Sequence, residues 1–404
     1  MVFDVLFDRE TFIETDQQMS AKIAYFVHDL TDPTFHRRMQ MLIAAGATVT
    51  PIGFRRTPTG LQTVQGMAAV ELGRTMDGQL TRRVLSVGAA LAKIRSIEKH
   101  VRGSDVILAR NLEMLVIASR ARKLYAANAT LVYESLDIHR LLLSRHPAGG
   151  VLRLIESKLW RDVDLLLTSS PAFVRNYFLP RRFCGPIRIE ENKVLLLEDE
   201  VPVALPGRPP SGPPWRIGWF GMLRCRKSLE VLGALADAAD GAVEIIIRGR
   251  PSDLVFPDFK AAVDGLRHVR YLGPYRNPGD LPSIYGEVHF SWAFDYYERG
   301  LNSAWLLPCR MYEGSLYGSV PIAEKGVETS NWLLQRSAGV ILGEPVEQSL
   351  LEFFGKLNQA SYGELVNRIA ALSRQDLVID RAGCRTLVGE LLHPTASDRV
   401  SVTA

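Results

Sequence analysis

The segment LPCRMYEGSLYGSVPIAEKG, residues 307–326, sets Arg310 and Glu313 three residues apart, just ahead of a small-residue turn and an apolar run. Residues at that spacing share one helix face. Pro308 suits a first helical turn, where its missing N–H is no loss. A short helix whose N-terminus faces a cleft offers free N–H groups and a positive dipole end to an anion. The alternative is a solvated helix whose Arg310 and Glu313 pair with each other. A second basic pair, Arg224 and Lys227, follows a glycine-containing run in GWFGMLRCRKSLEVL (218–232), where a surface basic turn is the plain alternative. YESLDIH (133–139) closes an apolar run with Asp137 and His139, either of which could take a proton from a hydroxyl. VHDLTDPTFHRR (27–38) closes another with His28, Asp29 and the basic pair Arg37–Arg38. Isolated His and Asp at such ends more often cap helices and turns.

These residues need elements to hold them, and the chain alternates strand with helix in two blocks. KIAYFV (22–27), DVILAR (105–110), TLVYES (130–135) and DLLLTSS (164–170) read as buried parallel strands. FHRRMQMLIAAG (35–46) has helical spacing and a terminal Gly, TVTPIGF (48–54) is extended, and 61–102 reads as mostly helical and basic. VPVALPGRPPSGPP (201–214), with six prolines and two glycines, reads as a linker. The alternation restarts with RIGWFG (216–221), SLEVLGALADAA (228–239), VEIIIRG (243–249), VRYLG (269–273), VHFSWAF (288–294) and SVPIAE (319–324). Two α/β blocks around a Pro-rich hinge predict two doubly wound, Rossmann-like domains facing across a cleft. The expected boundaries are 1–200, a linker at 201–214, 215–375, and a C-terminal helix and tail at 376–404.

At 404 residues, 47% hydrophobic and 23% charged, the chain reads as globular and long enough for more than one core. Its net charge is only +4, but fifteen Lys and Arg stand against five Asp and Glu between Arg37 and Lys123. Such a half suits an anionic partner: lipid headgroups, a phosphorylated carrier or nucleic acid. No apolar run is long enough to span a membrane, and the acidic first nineteen residues do not read as a signal peptide. Four scattered cysteines without metal-ligand spacing suggest a reducing cytoplasm. The absence of GxGxxG, Walker A and kinase signatures weakens dehydrogenase, flavoprotein and P-loop readings.

Residues 215 to about 345 resemble the nucleotide-sugar domain of GT-B glycosyltransferases, above all glycosyltransferase family 4. The landmarks are GWFGMLRCRKSLEVL, VEIIIRGR, HVRYLGPYRNPGDLPSIYGEVHFSWAFD and LPCRMYEGSLYGSVPIAEKG. The wording LLPCRMYEG most resembles exopolysaccharide glycosyltransferases of the succinoglycan-assembly type, the ExoL group. The resemblance implies that Arg224, Lys227 and Arg310 bind a donor diphosphate and Glu313 the donor ribose. It also implies that the first block holds the acceptor, with His28 and Asp29 in its opening loop. Asp137 or His139 would then serve as catalytic base if the reaction inverts; a retaining reaction would rely on donor phosphate. One departure stands out: eight positions before Glu313 the family has a second Glu beside the transferred sugar, whereas this chain has Trp305, and Glu298 lies fifteen before. FDYYERGLNSAW (294–305) must replace it, with Asp295, Asn302 and Ser303 as candidates for the sugar hydroxyls, or as parts of an ordinary polar loop.

The activity so implied moves a hexose from a nucleoside-diphosphate sugar, a UDP-sugar, to a lipid-linked glycan in exopolysaccharide synthesis. With no Asp-x-Asp at a strand end in the donor half, no metal is expected; nor is nucleic acid. A cytoplasmic protein is expected, peripheral on the inner face of the membrane through an amphipathic basic helix over 82–102. A sugar-nucleotide epimerase of the same fold and a non-catalytic nucleotide- or polysaccharide-binding module are the competing readings.

Overall fold

The computed structural model describes residues 21–56, 60, 62–75, 80–197 and 209–395; residues 201–208 of the Pro-rich stretch lie outside it. The first half is built on seven parallel strands: β1 (Lys22–Val27), β2 (Thr48–Arg55), β3 (Val70–Arg74), β4 (Val106–Arg110), β5 (Thr130–Ser135), β6 (Leu165–Thr168) and β7 (Ile187–Ile189). They lie in the order β3-β2-β1-β4-β5-β6-β7. Helices α1 (Pro33–Ala44), α2 (Leu80–Ala92), α3 (Asn111–Tyr125) and α4 (Pro147–Leu159) connect them. The central strands are buried and mostly apolar because helices cover both faces of the sheet, with Arg110 and Glu134 as charged exceptions near their carboxyl ends. Ala24, Phe26, Ile107 and Tyr133 pack into one core, and Ile23, Tyr25, Leu108 and Val132 into the other.

A second sheet repeats the plan with six parallel strands. These are β8 (Trp215–Leu223), β9 (Val243–Pro251), β10 (Val269–Tyr271), β11 (Phe290–Trp292), β12 (Val320–Glu324) and β13 (Val340–Leu342), in the order β10-β9-β8-β11-β12-β13. Helices α5 (Arg226–Ala238), α6 (Leu281–Gly286), α7 (Cys309–Leu316), α8 (Glu328–Gln335) and α9 (Val346–Lys356) surround it. The strand order of both sheets reverses direction once, between β1 and β4 and between β8 and β11. Crevices at the carboxyl ends of such neighbouring strands are where doubly wound folds take ligands. Where β8 and β9 run closest, Gly221 and Gly249 have φ of 110° and 142°. A Cβ on Gly249 would lie 1.8 Å from the Gly221 carbonyl oxygen, so no larger residue fits. After α9 the chain returns to the first half: Val378–Ile379 pairs with Val194–Leu195. Helix α10 (Arg381–Leu392) then buries Cys384, Leu387, Val388 and Leu391 in the core containing β1.

Three local expectations are corrected. Among the described residues of 61–102, helix begins only at Leu80: Thr63–Val64 and Met67–Ala68 form a small hairpin, and β3 fills the open edge of β2. The reason is pairing, since Ile52 and Val70 register across two strand edges that would otherwise leave backbone groups unmatched. The helix expected over 82–102 ends at Ala92. A 3₁₀ turn and a short helix follow and direct Ile94, Ile97 and Val101 into the core. Pro308 precedes α7 in extended backbone (φ −75°, ψ 144°) instead of occupying its first turn.

Candidate active site

The loops after β8 and β11 bring Arg224 and Asp295 to the switch point of the second sheet. Ser303 donates to Asp295 Oδ1 at 2.7 Å, and Arg310 Nη2 reaches Asp295 Oδ2 at 3.2 Å. Burial alone would push the Asp295 carboxyl up, but Arg310, the Ser303 hydroxyl and Arg224 hold it below its ordinary value. Arg310 therefore pairs with Asp295, which removes the simple Arg310–Glu313 surface pair from consideration. The Nε of Arg310 is buried and has no hydrogen-bond partner. The Arg224 guanidinium lies 4.8 Å from the centre of the Tyr297 ring. Lys227, on the first turn of α5, is half exposed and paired with Glu347.

Glu313 is 6% exposed. Its Oε1 accepts from Asn277 at 3.0 Å and its Oε2 from the Tyr285 hydroxyl at 2.9 Å. Burial pushes its pKa up, against those two bonds and the positive charges of Arg37 and Arg310. Arg37 comes from α1 of the first half, also lies close to Cys309 at the start of α7, and donates to the Lys193 carbonyl. A cation of the first half thus stands at the helix N-terminus of the second.

Across the cleft, Glu134 at the end of β5 is fully buried and accepts from Arg38 (2.9 Å), Arg110 (2.7 Å) and the Tyr25 hydroxyl. Burial opposes its charge, yet Arg110 and Arg38 lower its pKa to about 2. Arg110 continues to the Thr34 hydroxyl at 2.7 Å and lies 4.0 Å from Asp32, which stands 3.8 Å from His28. Burial lowers the His28 pKa. Asp137 is open to solvent but walled in by both halves; this desolvation raises its pKa, Glu298 adds to the rise, and His28 and His139 oppose it.

Other candidates have plainer roles. His139 accepts the Leu141 N–H at 3.3 Å as the cap of the helical turn Arg140–Leu143. Asp29 accepts from the Thr31 N–H and hydroxyl and lies 3.4 Å from Arg56. Asn302 binds both the carbonyl (2.7 Å) and the N–H (2.9 Å) of Ile138 and donates to Glu298, tying the two halves together.

Arg110, Glu134, Asn277 and Tyr285 are absent from the sequence reading of the site, and Arg37 enters it only as half of a basic pair at the end of the first strand. A charged residue inside a strand of apolar neighbours, as in VILAR and VYES, was the available signal for Arg110 and Glu134. Nothing local marks Asn277 or Tyr285.

The chain is 45% identical over 374 residues to the succinoglycan biosynthesis protein ExoL of Rhizobium meliloti, covering 92% of this chain and 93% of that protein. It belongs to the ExoL family. No family model matches the chain. Among solved structures, sucrose-phosphate synthase from Thermosynechococcus elongatus superposes with TM-score 0.64 at 12% identity, over 92% of this chain and 98% of that one. Anabaena HepE in complex with UDP and glucose gives 0.64 at 14%, over 92% and 99%. The lipopolysaccharide outer core galactosyltransferase WaaB gives 0.59 at 15%, also over 92% and 99%. At such identities the likeness is one of architecture: this ExoL-family chain has the two-domain GT-B fold.

Proposed function

We propose that this chain is a glycosyltransferase that moves a hexose from a UDP-sugar to a lipid-linked glycan during assembly of a succinoglycan-type exopolysaccharide. The observation that carries the reading is the meeting, at one switch point, of Arg224, Arg310 and the buried Glu313 opposite Asp137. The ExoL relationship and the UDP held by the HepE neighbour support the pathway and the donor. Breaking the sugar–phosphate bond leaves negative charge on the diphosphate. Arg224, Arg310 and Lys227 take that charge, together with the N–H groups that open α7. Glu313 accepts the ribose hydroxyls. Cations take the place of a metal, so transfer survives chelation.

On the acceptor side, Asp137 removes the hydroxyl proton in a direct displacement, and desolvation suits it to that role by raising its proton affinity. His28 and Asp29 border the acceptor, and the boundaries 1–200, 201–214, 215–375 and 376–404 delimit the acceptor unit, linker, donor unit and returning tail. Asp295 and Ser303 orient Arg310 and remain the nearest polar groups for the transferred sugar, with Asn302 behind them. The chain works at the cytoplasmic face of the membrane, as an acceptor anchored in lipid requires. Incubation with labelled UDP-glucose, UDP-galactose and a membrane extract tests the reading. Label appearing in lipid supports it; conversion of the donor alone indicates an epimerase, and binding without turnover a non-catalytic module.

A further inference from the structure

Helix α4 is turned against its own amphipathicity. Its one acid, Glu156, is fully buried and accepts from the hydroxyls of Tyr133 (2.8 Å) and Tyr177. Its apolar stripe points outward: Val151, Leu154 and Ile155 are 58%, 56% and 39% exposed. These three and Lys158 occupy positions i, i+3, i+4 and i+7, one continuous face. A helix serving only to cover a sheet would place such a stripe inward. Here the sheet-facing side is satisfied by Glu156, Gly149 and the partly buried Leu152 and Leu159.

The surroundings select what covers the stripe. Between Arg145 and Arg161 the only acid is the inward Glu156, while Arg145, Lys158 and Arg161 are exposed. Helix α3 packs against α4 and also against α2, whose Val84 and Leu85 are 57% and 72% exposed. A second copy of the chain placed on this face would bring like charges together. An anionic bilayer offers both headgroups for the cations and hydrocarbon for the stripe.

We infer that the outer face of α4, from Val151 to Lys158, inserts into an anionic phospholipid leaflet and sets the height of the acceptor side of the cleft above the membrane. The helical turn Arg140–Leu143, three residues after Asp137, packs directly on α4, so a headgroup-linked glycan beside the helix has a short path to that carboxylate. Helix α2 is secondary, because Arg83 is already paired with Glu113 at 2.5 Å. The purpose of this surface rests on the lipid-linked acceptor proposed above. Its test does not, because lipid binding is read without sugar transfer.

The full chain is sedimented with vesicles of phosphatidylcholine mixed with phosphatidylglycerol, and with phosphatidylcholine alone. Binding to the mixed vesicles only, fading with salt, is expected. The double variant Leu154→Ser, Ile155→Ser lowers the partition coefficient about tenfold or more. Leu254→Ser, at a still more open leucine of the second half, leaves it unchanged. Lys158→Ser with Arg161→Ser flattens the salt dependence. Circular dichroism of every variant should match the parent, since the altered side chains face solvent. Three outcomes overturn the inference: no binding to the mixed vesicles, full binding by the Leu154/Ile155 variant, or a dimer in light scattering that this variant dissolves.

Discussion

Replacing Glu313 separates the proposed ribose contact from the packing around it. In the free protein the carboxyl accepts from Asn277 and Tyr285 at 3.0 and 2.9 Å while 6% exposed. Glu313→Gln keeps the size and an acceptor for Tyr285, and Asn277 can turn its amide to match. What is lost is a charged acceptor for the ribose hydroxyls. A hydrogen bond to a charged group contributes about 1.5–3 kcal/mol and one to a neutral group about 0.5–1.5. The Gln variant should therefore bind UDP about 1–1.5 kcal/mol more weakly, or roughly five- to tenfold. Glu313→Ala removes the whole contact, about 1.5–3 kcal/mol of binding. It also strands the Tyr285 hydroxyl and Asn277 amide, at about 1–3 kcal/mol of stability each. Calorimetric titration with UDP and with 2′,3′-dideoxy-UDP reads the first effect, and thermal melting without ligand the second. The parent should prefer UDP, and the two ligands should converge in the Ala variant. Folded Gln and Ala proteins that bind UDP like the parent, or a folded Ala protein that still discriminates between the ligands, refute the ribose assignment.

Asp137→Asn should abolish transfer by at least about a hundredfold while leaving UDP affinity intact. Because desolvation raises this carboxyl and a base must be ionised, the parent rate should fall with decreasing pH from above the ordinary carboxylate range; a flat acid limb argues against it. Lys227→Ala should change stability by less than about 1 kcal/mol, since its partner Glu347 is exposed, yet weaken UDP about tenfold without affecting uridine. Transfer should persist in excess chelator; loss restored by magnesium or manganese contradicts the assignment of leaving-group charge to cationic side chains. Burial raises Glu156 above its unfolded pKa, so its contribution is full at acid pH and is lost as pH rises through the folded value. Melting of Glu156→Gln should accordingly gain on the parent as pH rises above the ordinary carboxylate range.

The two-block α/β plan was legible because parallel strands buried on both faces read as apolar runs. β1, β4, β5 and β6 lie within one or two residues of their sequence bounds. β3 was not legible, since VELGR is a half-buried edge strand with no alternation, and its existence depends on β2 beside it. In the site, Arg310 and Glu313 were visible as a pair, but their partners came from 15 and 28 residues upstream. The sequence could mark the charges but not assign them. Arg37 shows the same limit more strongly: it reads as the neighbour of Arg38, yet Arg38 turns inward to Glu134 and Arg37 outward to α7. One residue of helix rotation, about 100°, separates the two destinations.

The segment that stands where the resemblance places a glutamate also ties the two halves together. Asp295 anchors Arg310, Ser303 holds Asp295 and the Glu298 N–H, and Asn302 grips Ile138, the residue after Asp137. Trp305, where the resemblance places a glutamate, offers its carbonyl to Ser170 of the first half. Arg140 adds an ion pair to Glu298 and lies 5.0 Å from the Tyr297 ring, the ring that Arg224 also approaches. Arg310 and the backbone beside Asp137 are therefore linked by hydrogen bonds through Asp295, Ser303, Glu298 and Asn302 of one loop. A diphosphate that draws Arg224 and Arg310 toward itself pulls on Asp295 and Tyr297, and through Asn302 on the backbone carrying Asp137. Under the proposed roles, coupling of that kind would place the base well only when the donor is present, and so would protect a nucleotide sugar from attack by water before an acceptor arrives.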